Sequence, residues 1–257
     1  MITVSVSALT TVFMVAIRLG TVILFSPIEA IRVLPIHTRL ILVLILSSLI
    51  VMNLTLPKLA ADELSLIVGG IAEFCNGLIL SLSLYATFAI FTIAGQLIDD
   101  QMGLNSQAIL NPADNSHESI ASRLLLMLGV LFFFTLNGHH KLLQSLAASF
   151  QIIPPGTLAI FNGFAALGKQ FTMMFSLGFM LASPVIISLI VVDIAGAVLT
   201  RNMPQISTYF LTLPIKILLG LFVFQLLLNY IHPLMEKIFD YCFDSSSRQH
   251  TNAQKNY

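Results

Sequence analysis

The chain has 257 residues, of which 57% are hydrophobic and only 9% charged, against about 25% charged residues in an ordinary soluble domain. Its net charge is zero, so nothing in it marks a nucleic-acid binder, and no nucleophile–base set, phosphate-cradling glycine loop or zinc-ligand spacing points to catalysis or a cofactor. The composition implies an all-α integral membrane protein of about six long helices.

The first predicted helix runs from Val4 to Phe25 and stops at Ser26-Pro27, where proline cannot continue it. Arg18 lies within this apolar stretch rather than before it, so a cleavable leader is not expected. A short link, IEAIRVLPIHTR, leads to a second helix over Leu40–Leu56, which ends before Pro57-Lys58. Asp62 and Glu63 suit the start of a third helix that reaches Ile98. That length exceeds one straight crossing of roughly 17–25 residues, which predicts a break near Gly69-Gly70 or Asn76-Gly77.

A fourth helix spans Ser119–Asn137, and a short amphipathic one spans Lys141–Phe150, with Leu142, Leu143, Leu146 and Phe150 at helical spacing. Pro154-Pro155-Gly156 ends it. The fifth long helix covers Gly168–Leu199, and Arg201-Asn202-Met203-Pro204 closes it. The sixth covers Ser207–Ile231, with a kink expected at Pro214. Residues 1–239 read as one multi-helix domain and 240–257 as a polar tail expected to be disordered. Cys75 and Cys242 are far apart in sequence and are read as reduced. If all six helices cross, Arg32, Arg39, Arg123 and Arg201 share one side and Lys58, Lys141, Lys169, Lys237, Arg248 and Lys255 the other, so charge bias selects no orientation.

The segment QMGLNSQAILNPADNSHE, Gln101 to Glu118, breaks this apolar pattern. A polar loop that is uncharged over its first half and flanked by membrane helices must face water or line a passage, which makes it either a plug or an ordinary extramembrane loop. Gln101, Asn105, Gln107 and Asn111 are uncharged, Gly103 permits unusual backbone angles, and Pro112 restricts the following turn.

Four ionisable residues, Arg18, Glu73, Asp193 and Lys216, interrupt apolar helix. Such groups serve either as an ion relay or as paired charges that lock helices together. Pairing is the simpler reading, since no two of them sit at i, i+4. His139-His140 suggests a metal, but neighbouring helical residues point about 100° apart and no acidic or cysteine cluster adjoins them. Phe171, Phe175 and Phe179, with Met173, Met174 and Met180 alongside, form a stripe expected to pack, although such side chains also suit a deformable seal. Small residues four apart, Gly77/Ser81, Ser83/Thr87 and Gly178/Ala182, predict close helix approach.

Three stretches together resemble the FliR family, the flagellar branch of the type III secretion export-gate proteins. AGQLIDDQMGLNSQAILNP (Ala94–Pro112) is similar to its G-x-x-I-x-x-Q-M-G followed by proline. NGHHKLLQSLAASFQIIPPG (Asn137–Gly156) is similar to its G-H-H segment, short helix and P-P-G. TRNMPQISTYFLTLPIKILLGL (Thr200–Leu221) is similar to its R-x-x-P-Q and P-x-K-x-x-x-G. Arg18, Pro27, Pro35 and Arg39 fall where the family has similar residues, whereas Asp99-Asp100, Leu104 and Asn105 depart from its pattern.

The resemblance implies a non-enzymatic subunit of bent helical hairpins, assembled with FliP and FliQ into a helical export-gate complex, with FlhA, FlhB and the export ATPase as neighbours. Unfolded flagellar export substrates would pass through it, and no cofactor is implied. The location implied is the bacterial inner membrane, multi-pass, at the flagellar basal body. Gln101, Met102, Gly103, Leu104, Asn105, Gln107 and Pro112 become candidates for the gate or plug. Arg18, Glu73, Asp193, Arg201, Pro204, Gln205, Pro214 and Lys216 become candidates for assembly or buried charge. The injectisome counterpart of the family and a proton- or solute-coupled transporter are the alternatives. A transporter is expected to show paired repeats, and none is visible.

Overall fold

The computed structural model describes residues 6–53, 63–104, 119–157, 160–203, 208–229 and 231–239, and helix is the one regular element among them. In chain order the helices are α1 (Val6–Leu24), α2 (Glu29–Arg32), α3 (Ile36–Asn53), α4 (Glu63–Met102), α5 (Ile120–Thr135), α6 (Gly138–Ile152), α7 (Ile160–Asn202) and α8 (Thr208–Asn229). Residues 231–239 are helical as well.

The boundaries follow local chemistry. The link after α1 is more ordered than its composition suggests, and α3 begins at Ile36 instead of Leu40. The Pro35 carbonyl accepts the Thr38 and Arg39 N–H groups at 3.0 and 3.2 Å. The Arg39 guanidinium donates to the Leu34 and Arg32 carbonyls at 2.9 and 2.7 Å. Asn137, in the left-handed region at φ 55°, separates α5 from α6 and offers its carbonyl to the His140 and Lys141 N–H groups. That lets α6 start at Gly138, three residues before the expected Lys141.

The break expected in the third long helix does not occur, and α4 is continuous over 40 residues. Each interior glycine costs a helix about 1 kcal/mol, and tertiary packing outweighs that here. The bare backbone of Gly77 lies against the Thr21 side chain and the Arg18 carbonyl. Likewise α7 runs 43 residues through Pro184, and Pro214 lies inside α8.

The chain divides into two compact units. One holds the described residues up to Thr87 together with Asn137–Phe171; the other holds those of Phe88–Leu136 and Thr172–Asp240. The core of the first is Val15, Leu19, Val22, Ile23, Val43, Leu146 and Phe150. The Ser83/Thr87 pair meets Gln170 there: Gln170 accepts from Ser83 Oγ at 2.6 Å and donates to the Ser83 carbonyl at 3.0 Å. The second unit is centred on rings. Phe88 meets Phe133 and Phe239 edge-on, with centroids 5.7 and 6.4 Å apart. Gly178 sits against the Ile90 carbonyl, the close approach its small-residue spacing predicts.

Six crossings are predicted, and among the described residues four helices are long and apolar enough by themselves: α3, α4, α7 and α8. The α5–α6 pair makes a fifth if its two bent halves count as one span, and α1 is a shorter apolar helix. The chain buries half of the apolar window in α4 but covers little of α3 and α8. Only 11% of the apolar window in α3 and 17% of that in α8 is buried. The phenylalanine stripe is not packed within the chain either, since Phe175 and Phe179 are 60% and 58% exposed, although Met174 is buried. These faces therefore require lipid or other protein around them.

Candidate gate and its anchoring charges

In the first unit, Arg18 and Glu73 lie 55 residues apart in sequence and both are fully buried. They form a bidentate pair: Arg18 Nε donates to Glu73 Oε2 at 2.6 Å and Nη2 to Oε1 at 2.8 Å. Nη1 donates to the Ser149 carbonyl and hydroxyl at 3.2 and 3.3 Å, and Nη2 also donates to the Ile153 carbonyl at 3.2 Å. All five guanidinium N–H groups are thereby matched, the condition under which a buried charge is tolerable. The Phe150 ring lies beneath the guanidinium, 4.3 Å from Cζ to its centroid.

Glu73 in turn fixes the P-P-G turn. Its Oε1 accepts the Gly156 N–H at 2.9 Å, and Asn76 Nδ2 donates to the Thr157 carbonyl at 2.8 Å. The turn itself closes with Thr157 N–H donating to the Pro154 carbonyl. Pro155 and Gly156, the latter at φ 87°, occupy its centre, the residue order of a type II turn. One ion pair thus ties α1, α4, the end of α6 and the turn that follows it.

In the second unit, Lys216 on α8 pairs with Asp193 on α7. Their side chains are 19% and 43% exposed, so this pair is much less enclosed. The four charges that interrupt the helices are therefore two pairs, a partnership across sequence that their spacing could not reveal. Pro214 lies exposed within α8, and Arg201 lies exposed in the last turn of α7, where a cation suits the helix dipole. Pro204 and Gln205 lie outside the described residues.

The gate candidates begin differently from the sequence expectation. Gln101 and Met102 are the last turn of α4 rather than the start of a loop, and Met102 is buried. The helix can run this far because Gly103, at φ 78°, supplies a left-handed stop. Gly103 N–H donates to the Asp100 carbonyl at 3.2 Å and Leu104 N–H to the Asp99 carbonyl at 3.1 Å. These two bonds are the Schellman pattern of helix ends. Met102 is seated on α8: a Cβ at Gly220 would come within 2.6 Å of its Cε. Asn105, Gln107 and Pro112 lie outside the described residues, as does Cys242.

Asp99 is the residue sequence reading passed over, as a mere departure from the family pattern. It is buried, and its Oδ2 accepts the Ser119 hydroxyl at 2.5 Å and the Ala121 N–H at 3.0 Å, at the N-terminus of α5. Ser119 caps the same helix by accepting the Ser122 N–H at 3.1 Å. The signal available was Ser119 itself, a preferred capping residue just before an apolar run.

The His139 and His140 rings meet at a 38° tilt with centroids 4.3 Å apart. Among the described residues no group of three or more His, Cys, Asp or Glu is placed to hold a metal. Cys75 is a free thiol.

The chain is similar in sequence to known proteins. The chain is 34% identical to the flagellar biosynthetic protein FliR of Pectobacterium carotovorum subsp. carotovorum over 175 residues, 68% of this chain and 67% of that protein. It is 28% identical to FliR of Escherichia coli strain K12 over 89% of this chain and 88% of that one. The surface presentation of antigens protein SpaR of Shigella flexneri is 30% identical over 59% of each chain. The family described as bacterial export proteins, family 1, matches residues 9–242, nearly the full length, and the chain belongs to that family.

Proposed function

We propose that the chain is the flagellar member of this family in its own cell. On this reading it is a non-enzymatic subunit of the type III export gate in the bacterial inner membrane, assembled with FliP- and FliQ-like subunits and adjoined by FlhA- and FlhB-like ones. It lines the passage for unfolded export substrates, and the segment from Gln101 to Pro112 stoppers that passage until export begins. The observation that carries the flagellar assignment is the match to a protein named for flagellar biosynthesis across 89% of the chain, against 59% for the SpaR match.

Two structural features support the gating role. The large uncovered apolar faces of α3 and α8 suit a subunit that completes itself against neighbours. The sharp stop at Gly103 launches the candidate segment from a fixed point. The pairing of Arg18 with Glu73 and of Asp193 with Lys216 favours structural charges over the relay that a transporter needs.

Deleting Met102–Pro112 tests the stopper. In complexes reconstituted into lipid, the deletion should make the closed assembly conduct small ions, while unchanged conductance with normal assembly would remove the role.

A further inference from the structure

We propose that Asp99 is a clasp at the neck of the gate segment, joining the point where the chain leaves α4 to the point where it starts α5. The inference deepens the gating reading and rests on it. A single residue holds both sides. The Asp99 carbonyl accepts the Leu104 N–H at 3.1 Å, on the departing side. Its carboxylate accepts Ser119 Oγ–H and the Ala121 N–H on the returning side.

The physical setting makes the clasp hard to release. Asp99 is 1% exposed, and its other oxygen, Oδ1, is buried with no hydrogen-bond partner among the described residues. A buried carboxylate that gave up the Ser119 and Ala121 bonds would be stranded without water, so those bonds are favoured over release. The carboxylate also faces the N-terminus of the 16-residue α5, whose dipole favours an anion. Two neighbouring contacts brace the same junction. Ser122 Oγ donates to the Thr92 carbonyl at 2.8 Å, and the absent side chain of Gly95 lets the Ser122 backbone rest directly on α4.

Asp99 therefore acts as a positioning residue for the seal. Asp99→Ala removes both returning-side bonds and Ser119→Ala removes the hydroxyl one, leaving the Ala121 N–H bond, whereas Asp99→Asn retains one oxygen able to accept both. The test is the conductance per complex of purified, lipid-reconstituted assemblies, measured beside complex yield and beside the Met102–Pro112 deletion. Ser119→Ala should raise closed-state conductance about tenfold, the factor that one lost charge-assisted hydrogen bond gives in a two-state equilibrium, and Asp99→Ala, which loses two, by at least as much. In the double variant the Ser119 change should add less to Asp99→Ala than it adds to the unaltered protein, because the two changes share the Ser119–Asp99 contact. Asp99→Asn should lie between Asp99→Ala and the unaltered protein.

If the deletion leaks while Asp99→Ala and Ser119→Ala stay tight, the clasp is wrong and the stopper stands. Reduced yield with unchanged conductance per complex also overturns the clasp, since a role in folding alone would give that result. If the deletion itself stays tight, the gating reading fails and this inference fails with it.

Discussion

Arg18 and Glu73 show how one pair of residues sets the stability of a unit. Both are fully buried, and the guanidinium has no donor left unmatched. Removing one partner strands the other in an apolar core, a change that costs about 3–5 kcal/mol. Glu73→Ala is therefore expected to abolish or sharply lower the yield of folded protein. Glu73→Gln, which keeps a hydrogen-bonding amide, should be milder, and thermal unfolding of the detergent-solubilised protein measures both. The Asp193–Lys216 pair is more open, so a double-mutant cycle should give it a smaller coupling than Arg18–Glu73. A larger coupling for Asp193–Lys216 would show that the assembled protein encloses it. Sequence alone marks all four as anomalous in apolar helix but cannot pair them, because partners 55 residues apart are brought together only by helix packing.

Helices α4 and α7 are long and uninterrupted, at 40 and 43 residues. Their existence, their type and the turn residues that end them are legible from apolar runs and from proline and glycine. Their continuity is not. Gly69-Gly70 and Asn76-Gly77 look like a break, and in the fold Gly77 is instead the site where α1 approaches α4. Glycine signals either weakness or contact, and only the neighbour decides which. Two substitutions separate these cases. A Cβ at Gly95 would collide with the backbone of Ser122, which cannot swing aside, so Gly95→Ala should destabilise by at least the 1–3 kcal/mol typical of overpacking. Gly168, in α7, has nothing within 4 Å of such a Cβ. Gly168→Ala should leave stability unchanged or raise it by about 0.5–1 kcal/mol, since alanine favours helix. Melting temperatures of the two variants, measured side by side, check the contrast. The gate was half legible in the same way. Its glycine stop was readable from Gly103, but the extension of α4 to Met102 and the capping by Asp99 depend on contacts with α8 and α5 that no local pattern records.

For the whole molecule, the governing fact is how much apolar helix the chain leaves uncovered. Leu40, Ile41, Leu44 and Ile45 on α3 and Leu218, Leu221 and Phe222 on α8 are all exposed. Lipid alone would satisfy such faces, yet an assembly of helical subunits satisfies them too and encloses a passage, and the account requires the second. Arg201, exposed at the end of α7, belongs to this scale. Arg201→Ala should lower the yield of assembled complex without raising the conductance of the complexes that do form, and the reverse outcome would move Arg201 to the gate. The most direct measurement is the native mass of the affinity-purified chain in mild detergent, with its bound subunits identified. The account predicts a species several times the mass of one 28.1 kDa chain, containing further export-gate membrane subunits in fixed ratio. A stable, monodisperse single chain wrapped only in detergent and lipid would contradict it.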